Sequence, residues 1–577
     1  MKPKIEPCTK THCFFCAMNE ENPHQRRSNL AKCFKEMPLE DDQEHVLVLS
    51  SLWNLAMNQP DDPEFPSLGI FLCMSKLILK GIHHRDWLLR DQNIYIPYYA
   101  AHIVGSFTLN NPKFAEKAVN SGVIPPLLEL LRGRLSWVEQ RVAVRALGHL
   151  ATHDISFKKL LDYEGQMVEL SMKTASTCLE VIYDSFITKG EAERLKYQCD
   201  LLTRGVGGLE FQNRKAEEWA SQLQCWSLSL LDCFVKRGRG LNLICNQGFL
   251  KGLGGMWGGL INKKSPAGIG FIRRLCYSNI GRISVSSSKE AILSLCSTSR
   301  SSDDWQYMAI ESLLRLLRDP NTRYRVIDPA VFYLKDLVEI RSIKGKQKVG
   351  EAISQVLLQD FAKIKYGQLR LSEKVQRVLE EIWDARVEKR KREKLMEEEE
   401  IKERKCVATQ MKKEGNKLFW GGGIEGGLVN YTKALDFCPL RYRKERVVLH
   451  SNRAQCFLLL KDPESAISDT TRALCLSSKS NPHSKSLWRR SQAYDMMGLA
   501  KESLMDCLMF INGTKNSKSK GRGRINVPYY AAQLISKQIS ATWLFAGVGS
   551  ISIARFDHLE DVQELENDVY TRCLLVI

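Results

Sequence analysis

Apolar residues recur at helical spacing along most of the chain. Between residues 45 and 385 the apolar segments repeat with a period of about 3.6 residues and are separated by Gly, Pro, Asn and Asp. Few segments alternate strictly between apolar and polar positions, as half-buried strands do. The clearest unit covers residues 120–154, where Gly122 marks a turn and Pro125 and Pro126 suit the first turn of a helix. We therefore predict an all-α protein.

The unit at 120–154 resembles an armadillo repeat. Its segments GVIPPLLELL and ALGHLA match the turn and the small-residue helix end of that family, and weaker echoes follow at 246–256 and 303–319. A pair of helices cannot bury its own apolar face, so such repeats stack into a solenoid. In that family an asparagine of the second segment binds extended peptides. His149 stands there in this chain, and we expect a packed or groove-edge histidine.

The C-terminal part of the chain has a different repeat pattern. Residues 407–512 show helix-turn-helix units with a period of about 34 residues, the period of the tetratricopeptide repeat (TPR). Three units can be aligned, at 412–439, 450–478 and 484–511. Small residues recur where paired helices approach closely. The fold class we predict is therefore an α-solenoid of armadillo-like repeats followed by a three-unit TPR domain.

Cationic and amide residues lie on the first helix of each TPR unit. Lys412 and Asn416 are four residues apart and so share a helix face, as do Lys485 and Arg489, and Asn452 lies on the first helix between them. In a right-handed TPR stack the first helices line the concave groove. We predict that these five side chains converge there. The alternative is that they are ordinary solvated surface residues.

This arrangement resembles the carboxylate-clamp TPR domains of co-chaperones, on the segments EGNKLF, HSNRAQCF and SLWRRSQAY. The resemblance implies that the five residues hold the two carboxylates of a terminal aspartate. It also implies the ligand, the Glu-Glu-Val-Asp tail of the cytosolic seventy- and ninety-kilodalton heat-shock proteins. The glycine-rich segment GGGIEGG at 421–427 departs from the family pattern, in which the inter-helix turn is tight.

Five segments follow from these patterns. We predict a polar N-terminal segment 1–44, an armadillo-like helical solenoid 45–385, a charged helical linker 386–406, a TPR domain 407–512, and a basic loop with a C-terminal helical extension 513–577. The order is similar to that of plant-type armadillo/TPR proteins. Myosin chaperones of the UCS type join similar parts but place the TPR first.

Composition narrows the choice of compartment and partner. The 577 residues exceed what one hydrophobic core usually supports, and no stretch approaches the roughly 20 apolar residues of a membrane span. The 18 cysteines are scattered through apolar patterns, as reduced buried cysteines are. With no apolar signal core at the start, we expect a cytoplasmic protein, with the nucleus as the alternative. The net charge of +18 favours acidic partners.

A cysteine group near the N-terminus is the one candidate for a metal site. Cys8, His12, Cys13 and Cys16 are compatible with tetrahedral zinc. No second close pair follows at finger spacing, and the group alone would form a cramped site. We therefore predict no metal and no cofactor.

Three functional hypotheses remain. Recognised catalytic motifs are absent, so we expect no enzyme, and we favour a chaperone adaptor whose solenoid binds an unidentified client. The first alternative is a scaffold whose TPR reads internal acidic peptides. The second is a nucleic-acid-associated protein that uses its charge and the basic loop 514–524, which lacks the interleaved aromatic residues of single-strand binders.

Overall fold

The structure is a computed structural model. It describes residues 13–546 and 548, except 42, 261–266, 303, 304, 479 and 519–526, and of helix residues 513–518 it describes the backbone alone. The described residues form two compact units, 13–249 and 250–546. Both units consist of helices, which confirms the predicted all-α fold class.

The first half of the chain contains sixteen α-helices within its described residues. In chain order they are α1 (Phe14–Met18), α2 (Pro23–Glu36), α3 (His45–Asn58), α4 (Glu64–Ser67), α5 (Ile70–His83), α6 (Arg85–Leu88), α7 (Ile96–Thr108), α8 (Pro112–Asn120), α9 (Ile124–Leu131), α10 (Trp137–Thr152), α11 (Asp154–Leu160), α12 (Glu164–Ile182), α13 (Lys196–Thr203), α14 (Leu209–Lys236), α15 (Leu241–Ile244) and α16 (Gln247–Leu253).

The second half adds sixteen helices and one small hairpin within its described residues. They are α17 (Ala267–Leu275), α18 (Asn279–Ser287), α19 (Lys289–Ser299), α20 (Trp305–Arg318), α21 (Pro320–Leu334), β1 (Ser342–Ile343), β2 (Lys346–Gln347), α22 (Val349–Leu357), α23 (Phe361–Lys365), α24 (Glu373–Trp383), α25 (Lys389–Leu395), α26 (Glu398–Trp420), α27 (Ile424–Phe437), α28 (Arg443–Leu459), α29 (Pro463–Leu476), α30 (Ser484–Met496), α31 (Ala500–Lys518) and α32 (Tyr529–Ala541).

The armadillo-like unit at 120–154 folds as its residues dictate. Gly122 has a φ of +75°, a conformation that favours glycine, and prolines in the first turn start α9. Helix α10 begins with a capping box, in which the Ser136 side chain accepts from the Val138 amide and Glu139 accepts from the Ser136 amide. The helix bounds therefore match the two helices that the sequence predicts.

Long helices lie side by side through the first unit. Helix α7 packs between α3 and α10, and α10 packs in turn against α14. His149 on α10 is buried, donates from Nδ1 to the Gly105 carbonyl at 2.7 Å, and meets the ring of Trp226 edge-on. Burial lowers its pKa to about 4, so it is a packed neutral histidine. Stacking of this kind buries the apolar faces that single helix pairs leave open.

Three helix pairs occupy the TPR-like part of the second unit. Helix α26 pairs with α27, α28 with α29, and α30 with α31, while α32 packs against α31. Their contact surfaces are made by small and aromatic residues, all buried: Ala434, Ala454, Ala466, Ala473, Ala493, Tyr431 and Tyr494. Small side chains let the two helix axes approach, and the aromatic rings fill the space between pairs.

Buried ion pairs connect these helix pairs to the segment around residues 300–340. Asp336 is fully buried and bonds Arg300 at 2.6 Å, Arg472 at 2.9 Å and Ser468 at 2.6 Å. Burial alone would raise the pKa of Asp336, but the charges of Arg300 and Arg472 hold it below its usual value. The TPR-like pairs and the helices that precede them therefore share one compact unit.

The charged stretch 386–406 lies mostly in α25 and α26. The Lys389 ammonium donates to the carbonyls of Leu435 and Asp436 at 3.2 and 3.0 Å, and the Glu393 carboxylate accepts from the Leu440 amide at 3.0 Å. The two carbonyls belong to the last turn of α27, and Leu440 follows three residues after that helix ends. The five predicted segment boundaries themselves stay predictions. The boundary between the two compact units falls inside the predicted 45–385 segment.

Within the ranges that the structure describes, none of the helices combines the length and apolar content that a membrane span requires.

Candidate functional site

The predicted peptide groove depends on the close approach of α26 and α27. At Gly415 of α26, an added Cβ would lie 3.0 Å from Cε1 of Tyr431 and 3.3 Å from Cβ of Asn430. A side chain at this position would force the Tyr431 ring to shift by a few tenths of an ångström, and glycine avoids this crowding. The tyrosine is 2% exposed and fills the space behind the first helices.

Tyr431 orients the two predicted asparagines. Its hydroxyl donates to Asn416 Oδ1 at 2.8 Å, and Asn452 Nδ2 donates to the same oxygen at 3.3 Å. The carbonyl of Asn416 is thus occupied by two donors, which directs its amide nitrogen elsewhere. Burial raises the pKa of Tyr431 to about 12, so its hydroxyl stays a proton donor at neutral pH.

Arg489 lies beside this cluster with neutral partners. Its Nε donates to Gln455 Oε1 at 2.9 Å, and its Nη1 donates to both the carbonyl and the hydroxyl of Ser451 at 2.7 Å. Burial lowers the pKa of Arg489, and the nearby Tyr431 and Cys456 act in the opposite direction. Among the described residues no carboxylate pairs with this guanidinium.

Unlike Arg489, three neighbouring arginines of the same helix pairs form ion pairs with carboxylates. Arg453 bonds Asp469 at 2.6 and 2.8 Å, and Arg472 bonds Asp336 at 2.9 Å. Arg490, the next residue after Arg489, bonds Asp506 at 2.6 and 2.8 Å. Each of these three charges is neutralised inside the fold. Arg489 is half-buried and bonds neutral groups, and no carboxylate among the described residues neutralises its charge. A half-buried charge of this kind favours an anionic ligand.

The two predicted lysines lie one turn before their partners. Lys485 is exposed at the start of α30, and with Arg489 it lowers the pKa of His483, which burial also lowers. Lys412 is half-buried on α26, one turn before Asn416. No hydrogen bond or ion pair within the described chain joins Lys412 to the cluster. The structure thus brings together Asn416, Asn452 and Arg489, and the five-residue clamp stays a prediction.

A buried network of hydrogen bonds and ion pairs joins α28 to α27 and α29. The Asp469 carboxylate bonds both Arg453 and His450 Nδ1, the latter at 2.9 Å. Burial would raise the pKa of Asp469, but the charge of Arg453 and the hydrogen bonds hold it well below its usual range. Arg453 also donates to Thr432 on α27 at 3.2 Å. This network holds the helix that carries Ser451, Asn452 and Gln455.

Sequence reasoning missed the residues that support the predicted clamp. The sequence pattern does not indicate that Tyr431 orients Asn416, and it does not single out Ser451 or Gln455. Ser451 and Gln455 flank Asn452 on α28, at one and three residues' distance. A search for polar residues next to the central asparagine could have found them.

The N-terminal cysteine group gives no metal site in the described residues. Cys8 and His12 lie outside the residues that the structure describes, whereas Cys13 is half-buried and Cys16 exposed at α1. The described residues contain no cluster of three His, Cys, Asp or Glu side chains that could hold a metal ion.

Comparison with known proteins agrees with the armadillo-like part. Residues 5–246 match the family model described as "Plant ARM repeat", less than half of the chain. Residues up to 246 therefore contain an armadillo-type repeat region.

Three curated relatives share shorter stretches with this chain. Protein unc-45 homolog B of Danio rerio is 36% identical over 91 residues, which are 16% of this chain and 9% of the relative. Sperm-associated antigen 1A of Danio rerio is 40% identical over 104 residues, 17% of this chain and 23% of the relative. FK506-binding protein-like of Homo sapiens is 33% identical over 110 residues, which are 18% of this chain and 31% of the relative. The chain thus spans less than a third of each of these relatives.

Proposed function

We propose that the chain is a non-enzymatic chaperone adaptor of the cytoplasm. Its TPR-like helix pairs bind the acidic C-terminal tail of a heat-shock chaperone through Lys412, Asn416, Asn452, Lys485 and Arg489. Its armadillo-like region binds a client protein. The proposal needs no cofactor and no metal ion.

The observation that carries the proposal is the environment of Arg489. A half-buried guanidinium with neutral partners lies beside two asparagines, one of which has its carbonyl already occupied. A terminal aspartate offers two carboxylates a few ångströms apart. Arginine can bond a carboxylate with two parallel N–H groups, and asparagine donates without adding repulsion between cations.

The number of available bonds suits a weak, reversible complex. Each hydrogen bond to a charged group contributes about 1.5–3 kcal/mol. A handful of them is enough for micromolar affinity, about −8 kcal/mol, after the cost of ordering the peptide. The stretches shared with the curated relatives support a chaperone-related repeat protein.

The experiment that tests this function uses a purified ninety-kilodalton heat-shock chaperone. The full chain, immobilised, is expected to retain the intact chaperone and to retain about 100-fold less of a form that lacks its last four residues, because that form has lost the terminal aspartate that the clamp is proposed to bind. Free Glu-Glu-Val-Asp peptide should displace the intact chaperone. Equal retention of the two forms would show that the tail is not the ligand.

A further inference from the structure

Two arginines lie one turn apart on α10 in the first unit, and neither forms an ion pair with a carboxylate among the described residues. Arg141 is 6% exposed, donates to the Tyr98 hydroxyl at 3.1 Å and donates to Gln222 Oε1 at 2.6 Å. Its guanidinium also lies 3.6 Å from the ring centroid of Trp219. Arg145 is half-buried. Burial lowers the pKa of both arginines, and the charge of Arg141 lowers that of Arg145 further.

A carboxylate on α14 acts on Arg141 through its charge but does not bond it. This is Glu218, which accepts from Lys215 at 3.0 Å and from Gln222 at 3.2 Å. No carboxylate contributes to the pKa shift of Arg145. Within the described residues, the positive charge of this part of α10 is therefore not neutralised by an ion pair.

His102 on α7 faces Arg145, and a tryptophan on α3 fixes its tautomer. Trp53 Nε1 donates to His102 Nδ1 at 3.0 Å. An indole N–H can only donate, so Nδ1 is the acceptor. Burial, together with the charges of Arg145 and Arg141, lowers the pKa of His102 to about 3. The ring is therefore neutral at physiological pH, and its one N–H hydrogen lies on Nε2.

Two N–H donors thus face each other without an acceptor. Arg145 Nη1 lies 3.4 Å from His102 Nε2, and because both nitrogens carry hydrogen, this contact cannot be a hydrogen bond. Among the described residues, neither the Arg145 guanidinium nor His102 Nε2 has any other hydrogen-bond partner. Leaving such donors unbonded costs free energy, and an oxyanion between them would accept from both.

Half-buried aromatic rings surround this pair of donors. Trp53 meets the His102 ring at 5.2 Å and the Tyr99 ring at 5.8 Å. Tyr98 touches both His102 and Tyr99, and its ring lies parallel to that of Trp219 at 6.0 Å. Trp53, Tyr99 and Trp219 are each half-buried, so part of each ring stays in reach of a partner. Rings of this kind pack well against apolar and aromatic side chains.

We propose that Arg145 and His102 form a binding site for a glutamate or aspartate side chain of a protein partner, whose neighbouring aromatic or apolar side chains pack on Trp53, Tyr99 and Trp219. Arg145 contributes the charge, and His102 contributes a second N–H that adds no charge. A single carboxylate matches this pair of donors. The inference rests on the client-binding part of the proposed function and names the chemistry of that client: an acidic segment that also carries aromatic side chains.

The test measures binding of a labelled peptide to the full chain by fluorescence polarisation. The probe is Ser-Glu-Phe-Gly-Glu-Leu-Ser-Glu-Phe-Gly with a terminal amide, so that it offers no free chain end to the predicted clamp. The wild-type chain is expected to bind it about tenfold more tightly than the same peptide with glutamine at each glutamate. Arg145→Gln should bind the two peptides equally. Arg134→Gln makes the same change at an exposed arginine that pairs with Glu129, and should bind both peptides like wild type.

The stability of the free chain separates a binding role of Arg145 from a structural one. Arg145→Gln removes a half-buried charge and one of two donors that face each other, so its thermal unfolding is expected at the same temperature as wild type or above it. A transition several degrees lower would show that Arg145 stabilises the fold, and would overturn the assignment.

The binding outcomes also distinguish this site from the predicted clamp. Equal affinity of the wild-type chain for the glutamate and glutamine peptides would show that no carboxylate is recognised, and so would full retention of the glutamate peptide by Arg145→Gln. Either result leaves binding of the chaperone tail unaffected, because the amidated probe does not use the clamp. A chain that binds the probe but not Glu-Glu-Val-Asp would keep this site and contradict the proposed clamp.

Discussion

Replacing Arg489 with alanine is expected to weaken binding of a Glu-Glu-Val-Asp peptide about 100-fold while the chain stays folded. The change removes a guanidinium that would make two charge-assisted hydrogen bonds to a terminal carboxylate, each worth about 1.5–3 kcal/mol. Each 1.4 kcal/mol changes the dissociation constant tenfold. Inside the fold, the loss is limited to neutral hydrogen bonds with Ser451 and Gln455. Calorimetric titration of the full chain measures the change in affinity.

A second clamp variant and a control variant test whether the loss of affinity is specific to the predicted clamp. Lys485→Ala should also strongly weaken peptide capture, since Lys485 contributes the second cation of α30. Lys417→Ala removes an exposed cation of α26, next to Asn416, and should leave binding unchanged. Unchanged affinity of the Arg489→Ala chain would remove the clamp assignment.

Replacing the adjacent Arg490 with alanine is expected to destabilise the TPR-like pairs instead. Arg490 and Asp506 are 2% and 1% exposed and share two hydrogen bonds, and Arg490 also donates to the Arg300 carbonyl at 2.9 Å and to Thr471. The alanine leaves the Asp506 carboxylate buried without its cation. Breaking a buried pair in this way costs about 3–5 kcal/mol of the free energy of unfolding.

Thermal unfolding followed by circular dichroism checks this second prediction. The transition of the Arg490→Ala chain should shift to lower temperature by several degrees, whereas that of Arg489→Ala should stay close to wild type. A double variant, Arg490→Met with Asp506→Leu, should recover part of the loss because neither charge is then left unpaired. Equal stability of the two single variants would contradict the structural role of Arg490.

Helical spacing places these two arginines on different faces of α30. Arg489 lies four residues after Lys485 and therefore shares its helix face, whereas Arg490 is turned by about 100° toward the interior. The same reasoning located the turn at Gly122 and the helix start at the two prolines after it. These features depend on residues close together in sequence, and local geometry determines them.

Long-range partners could not be predicted in this way. Asp336 bonds Arg472, which lies 136 residues later, and Arg300 accepts at its carbonyl from Arg490. No periodicity indicates that segments so distant come into contact. The sequence therefore suggested a charged linker between two bodies, and it gave no sign that the residues around 300–340 and the TPR-like pairs share one compact unit.

The role of Tyr431 was hidden for a different reason. Its aromatic ring is typical of TPR packing, and nothing in its spacing shows that its hydroxyl would meet Asn416. Such pairing depends on the depth at which two helices pack, which Gly415 sets through its missing side chain. The positions of the predicted residues were thus accessible from sequence, but the hydrogen bonds that orient them were not.

The central claim is that the groove recognises a free chain end. It is tested most directly by titrating the wild-type full chain with Glu-Glu-Val-Asp carrying either a free terminal carboxylate or a terminal amide. The amide removes one of the two carboxylates of the last residue and leaves every other group in place. The account predicts micromolar binding of the free acid and affinity for the amide that is lower by about 100-fold. Equal affinity for both peptides would contradict it and would favour a groove that reads internal acidic segments.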